Sequence, residues 1–159
     1  MAFLTRDSDS PNVGFPPPLV FVGFLLIGCA IDDLFGLNPA ISNSVRVVLG
    51  GGAILIGCAF VLGALLRFRK AGNNPEPWKR DTAFVAEGVY RITRNPMYLG
   101  MVIASFGIAV AANCLGGLLT LPLSIVAIHT QVIRREESYL SATFGDEYRE
   151  YCRHVRRWI

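Results

Sequence analysis

The stretch Tyr98–Ile133, YLGMVIASFGIAVAANCLGGLLTLPLSIVAIHTQVI, runs for 36 residues without one Asp, Glu, Lys or Arg. A helix that crosses about 30 Å of hydrocarbon needs roughly 20 apolar residues. The stretch is therefore too long for one membrane helix and about right for two. Its middle, Asn113-Cys114-Leu115-Gly116-Gly117, is the expected break, with the Asn and the Gly pair forming a tight turn.

Two further apolar stretches precede it. Val47–Leu66 is 20 residues with no charge, and Leu19–Ile31 is 13 residues, or 17 when extended back through three prolines to Phe15. Asp32 and Asp33 are expected to end the first. Met1 to Pro18 is polar and Pro-rich, so the first stretch is expected to be a retained span and not a cleaved signal. Across all 159 residues hydrophobic side chains make up 52%, charged ones 17%, and the mean hydropathy is +0.44, too apolar for a soluble domain of this size. The expectation is an all-α integral membrane bundle of one domain, with spans near 15–32, 46–67, 97–112 and 115–133, a loop over 68–96 and an amphipathic tail over 134–159.

Charge distribution orients the bundle. Arg67–Arg94 carries seven basic and three acidic residues, whereas Asp32–Arg46 carries two Asp and one Arg. Lys/Arg-rich loops stay cytoplasmic. Both termini and the central loop are thus expected on that side, which four spans allow. A net charge of +3 is too small to point to nucleic acid. Small-residue pairs at spacing four (Ala53 with Gly57, Gly100 with Ala104, Gly107 with Ala111) read as close helix contacts. Cys29, Cys58 and Cys114 lie in apolar segments and read as small buried hydrophobes, not disulfides or metal ligands. With only His129 and His154 in the chain and no Cys pair at metal spacing, no metal site is expected.

Two polar blocks carry the candidate chemistry. In the first, Gly88 to Gly100, Asn95-Pro96 biases the chain away from helix until Pro96 opens the third span. A helix N-terminus flanked by Arg91 and Arg94 suits a carboxylate or phosphate; the same residue types also serve as caps and interface anchors. The second block, His129 to Glu137, closes the fourth span. Its Glu136-Glu137 pair beside Arg134-Arg135 is either a solvated ion-pair cluster or a partner for a cationic ligand. His129, about two turns inside the span, is an ionisable group at membrane depth. A helix hairpin brings both blocks to one face of the membrane. In the tail, Leu140, Phe144, Tyr148, Tyr151 and Val155 recur at helical spacing, with a break expected at Gly145. That stripe either lies on the bilayer or folds over the central loop, and the second is expected here.

The block Gly88-x-Tyr90-Arg91-x-x-Arg94-Asn95-Pro96-x-Tyr98-x-Gly100, followed by Glu136-Glu137-x-x-Leu140-x-x-x-Phe144-Gly145-x-x-Tyr148-x-x-Tyr151, resembles the isoprenylcysteine carboxyl methyltransferase and phospholipid methyltransferase superfamily. Asn74-Pro75-x-Pro77 and the closing Val155-x-Arg157-Trp158-Ile159 are similar to it as well. The resemblance implies S-adenosylmethionine as cofactor and methyl transfer to a lipophilic or lipid acceptor that enters from the bilayer, at the cytoplasmic face of what would be a bacterial inner membrane. It implies cofactor contacts at Tyr90, Arg91, Arg94, Asn95, Pro96, Tyr98, Gly100, His129, Glu136 and Glu137, with Arg134 and Glu137 acting on the reaction. Many members carry His where this chain has Asn95, which removes imidazole chemistry at that position. Two other readings remain open: an NADPH-dependent membrane reductase of the sterol or enoyl type, and a non-catalytic module whose basic loop contacts anionic lipid.

Overall fold

The computed structural model describes residues 10–11, 13–37, 39–73, 76, 79 and 83–159. The expected Asn74-Pro75-x-Pro77 motif and most of the polar N-terminal segment lie outside them. Among the described residues the fold is all helix, a membrane bundle without strands.

Helix α1, Pro17–Phe35, opens at proline after an extended Pro16 and closes on Gly36 at φ 62°. It runs three residues past the expected end at residue 32. Aspartates leave a helix intact, and the left-handed glycine is what stops it. Helix α2, Asn43–Lys70, contains one wider π turn at Arg46–Gly50. Helix α3, Pro96–Ala111, is 16 residues, shorter than the other apolar helices. Helix α4, Leu115–His154, is 40 residues long.

Helix α4 carries the fourth apolar stretch and the expected amphipathic helical tail as one element. Nothing between Ile128 and Phe144 breaks a helix; a π turn at His129–Ile133 only widens it. The break comes at Gly145, φ 53° and ψ −119°, a backbone state that favours glycine. Pro122 lies inside α4. A turn further back, Thr120 Oγ1 donates to the Gly116 carbonyl at 2.9 Å and, in α1, to the Phe24 carbonyl at 2.8 Å.

The helices pack as two pairs, α2 on α3 and α1 on α4, joined where α3 meets α4. Small residues make both contacts. A Cβ on Gly100 would meet the Gly57 carbonyl at 2.6 Å, and one on Gly107 would meet the Gly50 carbonyl at 2.7 Å. Gly116 abuts Gly28 even more closely. The Gly116-Gly117 pair is therefore a helix–helix contact and not the expected turn. Asn113 alone makes the turn, at φ 57°, and its Oδ1 accepts from Ile41 N at 3.0 Å. Arg46 Nε closes the same end by donating to the Ala111 carbonyl at 2.9 Å.

At the opposite end the bundle is polar. Phe68 near the end of α2, the short turn Gly88–Arg91, the start of α3 and residues 136–151 of α4 converge there.

Candidate cofactor site

Thr93, Arg94 and Asn95 form the non-helical segment that leads into Pro96. Their polar groups are satisfied by the last residues of the chain. Arg94 N donates to the Arg156 carbonyl at 2.9 Å, and Thr93 Oγ1 and Asn95 Nδ2 donate to the Arg157 carbonyl at 3.0 and 2.9 Å. Thr93 and Asn95 are buried. The residues after His154 thus return to the start of α3 and fix its entry.

An ion cluster sits on that frame. Glu137 accepts from Arg157 Nε at 2.8 Å and from its NH2 at 2.7 Å, a two-pronged pair. Arg94 NH1 lies 3.5 Å from the same carboxylate and donates to Cys152 Sγ at 2.6 Å. Arg94 Nε is buried and has no hydrogen-bond partner among the described residues. Glu136 turns the other way and accepts from Tyr98 OH at 2.6 Å. The Glu137 hydrogen bonds raise the Arg157 guanidinium above its ordinary pKa, so the pair stays ionised.

Aromatic rings complete the walls. Phe84, from the central loop, meets Phe144, Tyr148 and Tyr151 with ring centroids 5.5, 6.0 and 5.2 Å away. The Tyr148 and Tyr151 contacts are edge-on, the favoured geometry. Tyr151 OH donates to the Tyr90 carbonyl at 2.5 Å. Burial raises both phenols above the usual tyrosine value, with Glu137 adding to the effect at Tyr148 and Arg94 opposing it at Tyr151. Both are neutral hydrogen-bonding groups at any ordinary pH.

Together these groups surround a cavity whose enclosed part is about 100 Å³ and which opens to the outside. Of the residues expected from sequence, Tyr90, Arg94, Asn95, Pro96, Tyr98, Glu136 and Glu137 stand on its wall. Four others do not. Arg91 is exposed, and Gly100 packs against α2. His129 sits in the π turn, its buried Nδ1 without a hydrogen-bond partner among the described residues, two turns from Glu136 along α4. Arg134 is exposed beside Arg135, Ser138 and Tyr139 in a separate surface depression. Asn95 reaches the wall, but its amide donates to the tail carbonyl.

Two features were not foreseen, Phe84 on the cavity wall and Arg157 behind it as the partner of Glu137. Phe84 stands in the central loop with no periodicity to mark it. Arg157 belonged to the closing motif, yet one arginine among six basic residues of the tail gave no sign of its partner.

The chain belongs to the phospholipid methyltransferase family, whose model matches residues 45–147. It is 32% identical over 76 residues to the protein-S-isoprenylcysteine O-methyltransferase of Schizosaccharomyces pombe, covering 48% of this chain and 32% of that protein. It is 38% identical over 78 residues to protein-S-isoprenylcysteine O-methyltransferase B of Arabidopsis thaliana, covering 45% and 36%. An uncharacterized protein of Haemophilus influenzae is 54% identical over 35 residues, 22% of this chain and 56% of its own. The chain thus spans about a third of the length of the two methyltransferases. No solved structure matches it.

Proposed function

We propose that this protein transfers a methyl group from S-adenosylmethionine to a lipophilic acceptor at the cytoplasmic face of the membrane. The observation that carries the reading is the cavity at the start of α3, where the buried Arg94 Nε lacks a partner beside a carboxylate pair and an aromatic wall.

The groups present fit that cofactor. Its amino acid end carries a carboxylate and an ammonium, and Arg94 and Glu136 offer one charge for each. The sulfonium is a cation, which the faces of Tyr90, Tyr98 and Phe84 attract. When bound, the cofactor supplies a methyl group already activated toward nucleophiles. The protein then has only to align the acceptor and keep water out. Glu137 acts through others: it holds Arg94 and Arg157, and through Arg157 it holds the tail that closes the cavity. The acceptor enters from the bilayer side of the cavity, near Met97 and Leu140. Both termini and the central loop face the cytoplasm, because that loop carries the Lys/Arg excess.

Titration calorimetry of the detergent-purified chain with S-adenosylhomocysteine and, separately, NADPH tests the cofactor. Binding of the first alone is expected; binding of NADPH alone overturns the reading in favour of a reductase. Incubation with labelled S-adenosylmethionine and a membrane lipid extract then identifies the acceptor by its labelled product.

A further inference from the structure

At the end of the bundle away from the cavity, Cys29 of α1 and Cys114 at the head of α4 bring their sulfur atoms to 3.1 Å. The two residues are 85 apart in sequence, so neither linear spacing nor a motif reveals the pair. Both are free thiols in this structure, Cys114 buried and Cys29 partly exposed. The structure assigns to Cys29 and Cys114 a redox-active dithiol that closes into a disulfide and clamps α1 against α4.

A movement of about 1 Å closes the gap to a disulfide bond length. Two features support the assignment besides the distance. Gly28 and Gly116, close in sequence to the two cysteines, hold the two backbones in direct contact, which keeps the sulfurs within reach of each other while the helices stay packed. Cys114 caps α4 at its N-terminus, its sulfur accepting from Gly117 N at 3.2 Å, which fixes that sulfur opposite Cys29. Asp32 shares that terminus, its Oδ1 accepting from Gly116 N at 2.7 Å while its Oδ2 is buried without a partner among the described residues. Burial raises the Cys114 thiol pKa well above its ordinary value, so the pair reacts with an added oxidant and is not expected to react quickly with air.

Cys58 and Cys152 provide internal controls. Cys58 is exposed on α2, and Cys152 bonds to Arg94 at the cavity end. By the topology proposed above, the dithiol end faces the non-cytoplasmic compartment, where disulfides persist. That placement rests on the proposed topology, whereas the thiol chemistry rests on neither it nor the methyl-transfer reading.

The test uses the full chain, purified reduced in detergent and treated with diamide, a diazene oxidant. The Cys29 thiolate adds to the N=N bond. The Cys114 thiolate then attacks the Cys29 sulfur, the S–N bond breaks, and both thiol protons end on the nitrogens of the released hydrazine. The expected product has lost two hydrogen atoms in mass, yields a linked Cys29–Cys114 peptide on digestion, and keeps Cys58 and Cys152 alkylatable. Its thermal midpoint rises by about 5–10 °C. Cys29→Ser should show no such rise and no linked peptide. Wild-type protein that keeps all four thiols after diamide, or that links Cys29 to any other residue, overturns the proposal, whichever cofactor the cavity binds.

Discussion

Glu137 and Arg157 meet through two parallel hydrogen bonds of 2.8 and 2.7 Å, joining the C-terminal half of α4 to the returning end of the chain. Glu137 is the more enclosed partner, its side chain 17% exposed against 40% for Arg157. The fork geometry of the guanidinium is what makes the pair two-pronged, and an ammonium cannot reproduce it. Arg157→Lys should therefore keep the charge, keep the fold, and still weaken S-adenosylhomocysteine binding by roughly 3–10-fold, about 0.7–1.4 kcal/mol. Titration calorimetry checks it. An unchanged affinity would show that the pair has no part in shaping the cavity.

Arg94 bears on the ligand more directly. Its guanidinium contacts Glu137 and Cys152 through NH1 and has Nε in reserve. Arg94→Ala removes the cation proposed for the cofactor carboxylate and leaves Glu137 to Arg157 alone. Affinity should fall by about 1–3 kcal/mol, the range for a charge-assisted hydrogen bond. Arg91→Ala, a change at the exposed neighbour, should leave affinity within about twofold, since exposed substitutions away from a site cost little. Equal losses in both variants would mean that general basicity, and not the placement of Arg94, governs binding.

These residues also mark how far the sequence could be read. The four helices were legible because lipid demands long uncharged stretches, and Asn95-Pro96 located the start of α3 by backbone sterics alone. The juxtaposition of Arg94 with Glu136 and Glu137 followed from the hairpin. What a linear reading misses is pairing between distant residues. Cys29 with Cys114 is set by helix packing, Phe84 with Tyr151 and Glu137 with Arg157 by the fold of the loop and the chain end onto α4, and none leaves a local signal. The Gly116-Gly117 pair misled for a related reason: glycine permits a turn and a close helix contact equally, and only Gly28 opposite decides between them.

The aromatic cluster has a signature in alkaline solution. Burial raises the pKa of Tyr148 and Tyr151 above the ordinary value of 10. Because the neutral form is the one favoured by folding, their contribution to stability is full below pH 10 and is lost as pH rises from 10 toward the folded values. Ultraviolet titration of the folded protein should show two of the five tyrosines ionising late, and Phe84→Ala should move them earlier by admitting water. If all tyrosines titrate together near 10, the cluster is not packed as described.

Membrane orientation is tested at Lys79, a cavity-lining residue of the central loop. Lys79→Cys in a background with the native cysteines replaced should resist a membrane-impermeant maleimide added to intact cells and react once the membrane is opened. Labelling in intact cells would place the loop outside and reverse the proposed topology.

Removal of Gly145–Ile159 separates a lid from an anchor. The segment contains Tyr148, Tyr151 and Arg157, and its backbone carbonyls at Arg156 and Arg157 receive the hydrogen bonds of Thr93, Arg94 and Asn95. Tyr148 is only 4% exposed, and each fully buried side chain of this size contributes roughly 1.5–3 kcal/mol, which a tail lying on the bilayer surface would not gain from the protein. The apolar helices α1 to α3 and the first part of α4 are untouched, so the truncated protein should still insert. The entry into α3 loses its partners, Glu137 loses Arg157, and Phe84 loses two of its three ring contacts. S-adenosylhomocysteine binding should consequently fall by at least tenfold, about 1.4 kcal/mol or more, a loss comparable to that from Arg94→Ala. Calorimetry on protein confirmed as monodisperse in detergent reads the outcome. Undiminished binding by the truncated chain would show that the cavity is complete without its lid, and that the stripe of aromatic residues serves the membrane instead.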